Sequence, residues 1–257
     1  MKMRHLITAI LMAGLLSCSK NDPLTIRSQV TGPIATNCYL VYTETTKQAA
    51  LIDVGDTIND LLEFIEQAHL DLRYILVTHA HPDHVSGILW LREQFPDARL
   101  GMSREEYEDM LGVYAQWETR FPEPLVEQIK NDTTMLRLFS MNYDDLGAPD
   151  FFIADEDRFH LGKHLITAYH TPGHARGSMC YYVPPYVFSG DELYYRGVGR
   201  TNTLPTSSWE HQVQSIHRLY ALLPDSTIVY PGHGKPTTIG SEKKENPYIP
   251  GNGVSSK

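Results

Sequence analysis

Apolar and polar positions along the chain alternate between two signals, short strand-like runs and helical stripes. Asn37 to Tyr42 and Ala49 to Asp53 read as strands around a turn at Glu44–Lys47, and the second ends in Asp53-Val54-Gly55-Asp56. Thr57 to Ala68 carries Ile58, Leu61, Leu62 and Ile65 at helical spacing. Tyr74 to Val77 is a continuous apolar run of the kind covered on both faces, and it leads straight into Thr78-His79-Ala80-His81-Pro82-Asp83-His84. A helix over 85–95 and a short strand at Ala98–Leu100 follow. Strand, helix, strand, loop, helix in this order predicts a layered α/β fold.

Residues 103–150 break that rhythm. Ser103 and Glu106 have the form of a capping box, a helix is predicted from Glu105 to Tyr114, and a second runs from about Leu125 to Phe139. This tract is rich in large side chains, among them Tyr107, Tyr114, Trp117, Phe121, Met135, Met141 and Tyr143. They either pack a helical excursion onto the main domain or let part of it overhang the site; spacing does not separate the two. From Phe151 the strands return, and Leu165–Tyr169 leads into His170-Thr171-Pro172-Gly173-His174. Strands at Ser178–Val183 and Tyr186–Phe188 come next, the latter ending in Ser189-Gly190-Asp191. A helix over Trp209–Leu222 precedes Ile228–Tyr230, which runs into Pro231-Gly232-His233-Gly234. Two halves, each opening with strands and closing with a helix, suit a pseudo-duplicated αββα sandwich.

Composition narrows the chemistry. The 257 residues carry 22 Lys plus Arg against 31 Asp plus Glu, a formal charge of −9, with no basic run, so nucleic acid is excluded as an expected partner. Residues 1–17 have the layout of an export signal, with Lys2, Arg4 and His5 ahead of the apolar stretch Leu6–Leu16. Leu15-Leu16-Ser17-Cys18 resembles a bacterial lipobox, with Cys18 as the lipid-modified first residue, 18–26 as a tether, and 249–257 as a flexible tail. That reading places an exported domain, lipid-anchored at a cell envelope, with residues 27–248 as its body. Cys38 and Cys180 sit in strand-like surroundings and are expected to be buried thiols.

Histidine is the informative residue. His79, His81, Asp83, His84, His174, Asp191 and His233 each follow an apolar strand run within a few positions. One such histidine is usually structural, but seven imidazoles and carboxylates at strand ends point to a metal centre, and this donor set suits zinc first, with iron or manganese also possible. Alternate residues of an extended loop point the same way, so His79 and His81 can share one ion, while Asp83 and His84 lie past Pro82 and can reach a second. Two ions held at about 3.5–4 Å need a shared ligand, and Asp191 is the candidate.

THAHPDH, then HTPGH, a strand ending in SGD and a strand ending in PGHG resemble, in that order, the metallo-β-lactamase superfamily of binuclear hydrolases. The resemblance runs from about Val30 to Tyr248 and implies a four-layer αββα sandwich with a helical insertion at about 103–150. It implies one metal site from His79, His81 and His174, a second from Asp83, His84 and His233, and Asp191 with a hydroxide between them. It also implies that Asp53 supports the metal loop. His170 is expected to act as a second supporting donor, and His160 and His164 to lie on the surface. Within the superfamily, Gly190–Tyr194 followed by Gly199-Arg200-Thr201, and the stretch Pro231–Tyr248, resemble short glyoxalase II-like proteins. Asn202 stands where that group commonly has Asp, and the C-terminal helical domain that carries glutathione contacts in full-length glyoxalase II is not expected here. The implied reaction is thioester hydrolysis of a small-molecule substrate by the bridging hydroxide, with Asp83 and Asp191 as catalytic carboxylates. Alternatives are a mononuclear-iron persulfide dioxygenase using His79, His174 and Asp191, a lactone or ester hydrolase of the same fold, and a non-enzymatic metal-binding lipoprotein.

Overall fold

The computed structural model describes residues 22–201 and 205–251. Residues 1–21, with the expected signal and Cys18, lie outside the described residues, as does Asn202. The first sheet holds β1 (Leu24–Thr31), β2 (Thr36–Thr43), β3 (Gln48–Ile52), β4 (Asp71–Leu76), β5 (Arg99–Ser103) and β6 (Phe151–Ile153) in chain order. β1–β2–β3 pair antiparallel and β3 through β6 parallel, so the crossovers must be helical. These include α1 (Asn59–Gln67), α2 (Pro82–Val85) and α3 (Ile88–Gln94). The second sheet is built from β7 (Arg158–Leu161), β8 (His164–His170), β9 (Met179–Val183) and β10 (Tyr186–Gly190), and a ribbon of β11 (Leu193–Tyr194) and β12 (Gly197–Val198) follows β10. β13 (Ile228–Pro231) then joins parallel to β10, and β14 (Thr237–Thr238) closes the edge.

The period-2 alternation of the strands produces the layers. In β2, Cys38, Leu40 and Tyr42 face a core shared with α1 and α3, while Tyr39 and Val41 face a core between the two sheets. β3 divides the same way, with Ala49 and Leu51 outward and Ala50 and Ile52 inward. In the second sheet, Tyr181 and Phe188 point into the shared core, whereas Cys180, Val187 and Val229 meet Ile216 and Leu219 of the helix Trp209–Leu222. Three stacked cores therefore separate four layers, the αββα sandwich expected from the motifs. Cys38 and Cys180 are buried free thiols, and burial raises both pKa values.

Three helical expectations are redrawn. The stretch 85–95 divides into α2 and α3, because Val54 takes part in backbone pairing on both sides of the break: its N–H donates to His84 O at 2.8 Å and its carbonyl accepts from Gly87 at 2.9 Å. The insertion comprises α4 (Arg104–Asp109) running into a π-helical turn at Met110–Tyr114, α5 (Trp117–Arg120), α6 (Glu123–Asn131), α7 (Thr133–Phe139) and a 3₁₀ turn at Tyr143–Leu146. The helix expected over 125–139 is broken at Asp132, whose carboxylate caps α7 through Thr134 N and Met135 N. The last two helices are α8, the Trp209–Leu222 helix, and α9 (Ile239–Glu245).

Both ends of the described chain are tied down more firmly than expected. The span read as a tether to residue 26 already pairs from Leu24, and Asp22 accepts from Thr45 N at 2.8 Å. At the other end Ile249, read as the start of a loose tail, is buried in the third core, and its carbonyl accepts from Tyr220 Oη at 3.2 Å. Among the described residues no helix is long and apolar enough to cross a membrane.

Leu40 is fully buried at the centre of β2. Leu40→Ala is expected to cost about 2–5 kcal/mol and to lower the melting temperature by roughly 5–15 °C, measured by calorimetry, with metal content unchanged.

Candidate metal centre

Each expected ligand sits where an apolar strand ends. His79 and His81 lie in the segment after β4, Asp83 and His84 begin α2, and His174 follows β8. Asp191 follows β10, and His233 follows β13. The parallel pair β10–β13 brings Asp191 and His233 to the same edge, and the sandwich sets that edge against the end of β4. Donor atoms of His79, His81 and His174 lie within 4.8 Å of one another. The same holds for His79, His84 and Asp191, and for Asp83, His84 and His233. All seven residues thus meet in one cluster.

Hydrogen bonds fix which ring nitrogen faces inward. His84 Nδ1 donates to Asp53 Oδ2 at 2.8 Å, and His79 Nδ1 to Thr78 Oγ1 at 3.1 Å. His174 Nδ1 donates to Arg200 O at 2.9 Å, and His233 Nδ1 to Ala35 O at 3.3 Å. Each of these bonds presents Nε2 to the cluster. His81 differs, with its Nδ1 lying 3.0 Å from His174 Nε2. Asp53 has the supporting role expected of it. In addition to His84, it accepts from Thr78 N and Thr78 Oγ1, each at 2.7 Å.

Charge argues for cations at this place. Burial pushes the His79 and His81 pKa values well down, keeping them neutral as ligands must be. Asp83 and Asp191 stay ionised despite burial, because His84 and its neighbours hold their pKa values well below the usual carboxylate range. Burial opposes a charge on His84, yet Asp83, Asp191 and Asp53 around it raise its pKa well above the ordinary imidazole value. Buried carboxylates that demand positive charge lie beside His79 Nε2, His84 Nε2 and Asp191 Oδ1, buried atoms with no hydrogen-bond partner. That is a donor set that fits divalent metal. The approach is close: a Cβ at residue 232 would overlap Asp191 Oδ1, and one at residue 190, where φ is +49°, would press on Thr78 Oγ1, so both positions require glycine.

Several supporting residues carry no signal in the spacing. Glu106, read as a capping residue, receives only half of that motif: Ser103 Oγ accepts from Glu106 N at 3.1 Å. Its carboxylate turns instead to Ala80 N at 2.7 Å and Gly177 N at 2.8 Å, joining the loop of His79 and His81 to the loop of His174. Burial pushes its pKa up to about 7, against those two bonds. Thr36 Oγ1 donates to Asp83 Oδ2 at 2.8 Å. From the insertion, Tyr114 sets its ring edge-on to His81 at 5.0 Å, while Trp117 packs against Phe139 within the outer core. The excursion therefore packs onto the outer core and also reaches His81. Tyr194 lies 6.1 Å ring to ring from His233; burial and the adjacent Asp191, to which it hydrogen-bonds, raise its pKa well above the usual phenol value. His170 turns elsewhere than expected: its ring pairs with Arg176 O at 3.1 Å and its N–H with Asp155, so it braces the loop after His174 rather than a ligand. His160 is exposed, and His164 is half-buried against Asp22 O.

Glu106→Ala removes the acceptor for both loops and is expected to weaken metal binding about 10–100-fold, measured by chelator competition, with far-UV circular dichroism retained.

Comparison with known proteins places this geometry. The model of the metallo-β-lactamase superfamily matches residues 31–233. The chain is 30% identical over 219 residues to a hydroxyacylglutathione hydrolase, GloC, of Haemophilus influenzae, covering 83% of this chain and 92% of that protein. Among solved structures, the B3 metallo-β-lactamase BLEG-1 matches with a TM-score of 0.71 and 29% identity, over 88% of this chain and 99% of that one. TTHA1623, solved in a di-iron-bound form, matches with a TM-score of 0.67 and 31% identity, over 87% and 100%. With the sandwich, the strand-end cluster and these likenesses in agreement, the chain belongs to the metallo-β-lactamase superfamily and is a metal-dependent hydrolase with a binuclear site.

Proposed function

We propose that the protein hydrolyses thioesters, with His79, His81 and His174 holding one ion, Asp83, His84 and His233 a second, and Asp191 bridging them. The observation that carries the bridging role is the position of Asp191. Its Oδ1 lies 3.4 Å from His84 Nε2, and its Oδ2 lies 3.6 Å from His174 Nε2 and 3.5 Å from His233 Nε2, so one carboxylate faces both groups of ligands. Likeness to a hydroxyacylglutathione hydrolase supports the thioester, and the donor set suits zinc, with iron or manganese as alternatives. Divalent ions there would supply a water ionised near neutral pH and a Lewis acid for the carbonyl.

The chain's own groups do the rest. Thr36 holds one oxygen of Asp83, which orients that carboxylate to accept a hydrogen bond from an attacking water. Asp53 fixes the path of the His79–His84 segment and Glu106 ties that segment to the loop of His174, so little reorganisation is needed as charge develops. Water adds to the acyl carbon and the carbon–sulfur bond breaks. The sulfur leaves as a thiolate, which at a reference pKa of about 8.5 needs no proton donor.

A second reading, lactone or ester hydrolysis, is favoured by Tyr194. An alkoxide leaving group does need a proton, and the Tyr194 hydroxyl, kept protonated by burial and hydrogen-bonded to Asp191, with its ring 6.1 Å from that of His233, is the candidate donor. The export and lipid anchoring expected from residues 1–18 belong to the same proposal, as the setting in which either reaction would run.

Purified protein supplied with zinc is expected to hydrolyse S-D-lactoylglutathione with kcat/KM above roughly 10⁴ M⁻¹s⁻¹. Asp191→Ala should lower this at least about 10³-fold, with loss of bound metal. Absence of turnover by metal-loaded protein would remove the substrate, and oxygen uptake with a persulfide would replace hydrolysis by the iron dioxygenase reading. Tyr194→Phe separates the two hydrolytic readings. Thioester turnover should change less than about threefold, whereas ester or lactone turnover should fall at least about tenfold if Tyr194 donates the proton.

A further inference from the structure

A ligand imidazole has two nitrogens to place, one toward the ion and the other on an outer partner that fixes the ring and its tautomer. Four histidines of the cluster have that partner: the Thr78 hydroxyl for His79, Asp53 for His84, the Arg200 carbonyl for His174 and the Ala35 carbonyl for His233. His81 is the exception. Its Nδ1 faces His174 Nε2, so its Nε2 points away from that contact, and there it is buried with no hydrogen-bond partner. A neutral ring whose Nδ1 serves a metal carries its proton on Nε2, and a buried donor left unmade is costly.

The insertion packs on this ring. Ala115 N donates to Met110 O at 2.9 Å, the wide hydrogen bond of a π-helical turn, and that turn ends with Tyr114 edge-on to His81 at 5.0 Å between ring centroids. Tyr114 turns its hydroxyl to Thr206 Oγ1, at 3.4 Å. Next to it, at 6.5 Å between centroids, is Tyr143, the first residue of the 3₁₀ turn and 1% exposed. The hydroxyls of Tyr39, Tyr181 and Tyr220 each reach a backbone carbonyl. That of Tyr143 does not: among the described residues it is the one tyrosine hydroxyl buried without a partner. Asp83 acts on Tyr143 and on His81 alike, so both groups lie in the field of the same carboxylate. Burial, Asp83 and Glu106 raise the Tyr143 pKa well above the usual phenol value, so the hydroxyl keeps its proton.

Two buried donors without acceptors, both packed against Tyr114, are the surroundings of one enclosed water. We propose that a buried water accepts hydrogen bonds from His81 Nε2–H and from the Tyr143 hydroxyl, which makes Tyr143 a positioning residue for His81. The water's own protons turn to the side of Asp83 and Glu106, the two carboxylates that act on Tyr143. The insertion then does for His81 what the rest of the chain does for the other four rings, fixing which nitrogen is offered to the ion. This rests on the ligand role proposed for His81 and adds to it the group that orients the ring.

The test is long-range nitrogen–proton NMR of the zinc-loaded protein carrying isotope-labelled histidine. His81 is expected to be the one ligand ring protonated at Nε2, which identifies its signal, because the other four carry the proton on Nδ1. In the wild type its Nε2–H should be protected from solvent exchange and give a cross-peak to a long-lived water. Tyr143→Phe keeps the ring in the core. It is expected to shift that one N–H and speed its exchange, to leave the four Nδ1–H signals in place, and to weaken zinc binding about 10-fold in chelator competition. Tyr114→Phe, which loses only the Thr206 bond, should leave the His81 signal where it is. A shift there equal to that of Tyr143→Phe would assign the effect to packing and overturn the role of Tyr143. A wild-type Nε2–H with no water cross-peak would overturn the proposal without any variant having to fold. So would an unshifted His81 signal in a folded Tyr143→Phe protein. Zinc that leaves the His81 ring signals unmoved would instead remove the ligand role of His81, and this proposal with it.

Discussion

The carboxylate of Asp53 is the point on which the metal centre is hung. It stands at the end of β3 with a left-handed backbone, φ +54°, a conformation that Asp tolerates better than most residues. From there one side chain accepts three hydrogen bonds, from the N–H and hydroxyl of Thr78 and from His84 Nδ1. Thr78 opens the ligand segment and His84 closes it, so Asp53 sets the length and path of everything between. Because the Thr78 hydroxyl donates to Asp53, it is free to accept from His79, and the orientation of one buried carboxylate passes to two ligand rings. A buried carboxylate is tolerable only when its oxygens are bonded, and these three bonds meet that requirement.

The ligands come from both halves of the chain, so the sheets must be held in register with one another. Among the contacts that do this are two made by polar side chains. Glu106 of α4 ties Ala80 to Gly177, and Asn37 of β2 ties into the turn after β13 that carries His233. The first belongs to the insertion, which also delivers Tyr114 against His81. The insertion is thus part of the wall around the cluster and not merely an appendage, while Trp117, Phe121 and Phe139 pack it into the outer core. On the open side the wall is thinner, and His233 alone among the ligands reaches appreciable solvent.

Much of this was legible in the sequence, for a definite reason. Strands covered on both faces are continuous apolar runs, and a polar residue that ends such a run has few places to be other than the sheet edge; that logic brought out all seven cluster residues, and the family resemblance added Asp53. What remained hidden depends on long-range backbone contacts that periodicity does not encode. Glu106 looks like a helix cap because Ser103 does cap, and its carboxylate's real partners lie 26 and 71 residues away. The break at Ser86–Gly87 comes from pairing with Val54, and His170 was drawn toward Arg176 O by the turn that carries His174. Tyr194 enters the sequence reading only as the end of a motif, so the bond of its hydroxyl to Asp191 was invisible until that neighbour was placed in space.

Two groups of ligands bridged by Asp191, as proposed, would make a stoichiometric demand. Metal-depleted protein should be titrated with zinc while bound metal and thioesterase rate are recorded together. Both curves are expected to break at about two equivalents per chain, with the rate rising mainly over the second. Full activity at one equivalent, with no further uptake, would contradict a bridged pair and reduce the site to a mononuclear centre with three idle ligands.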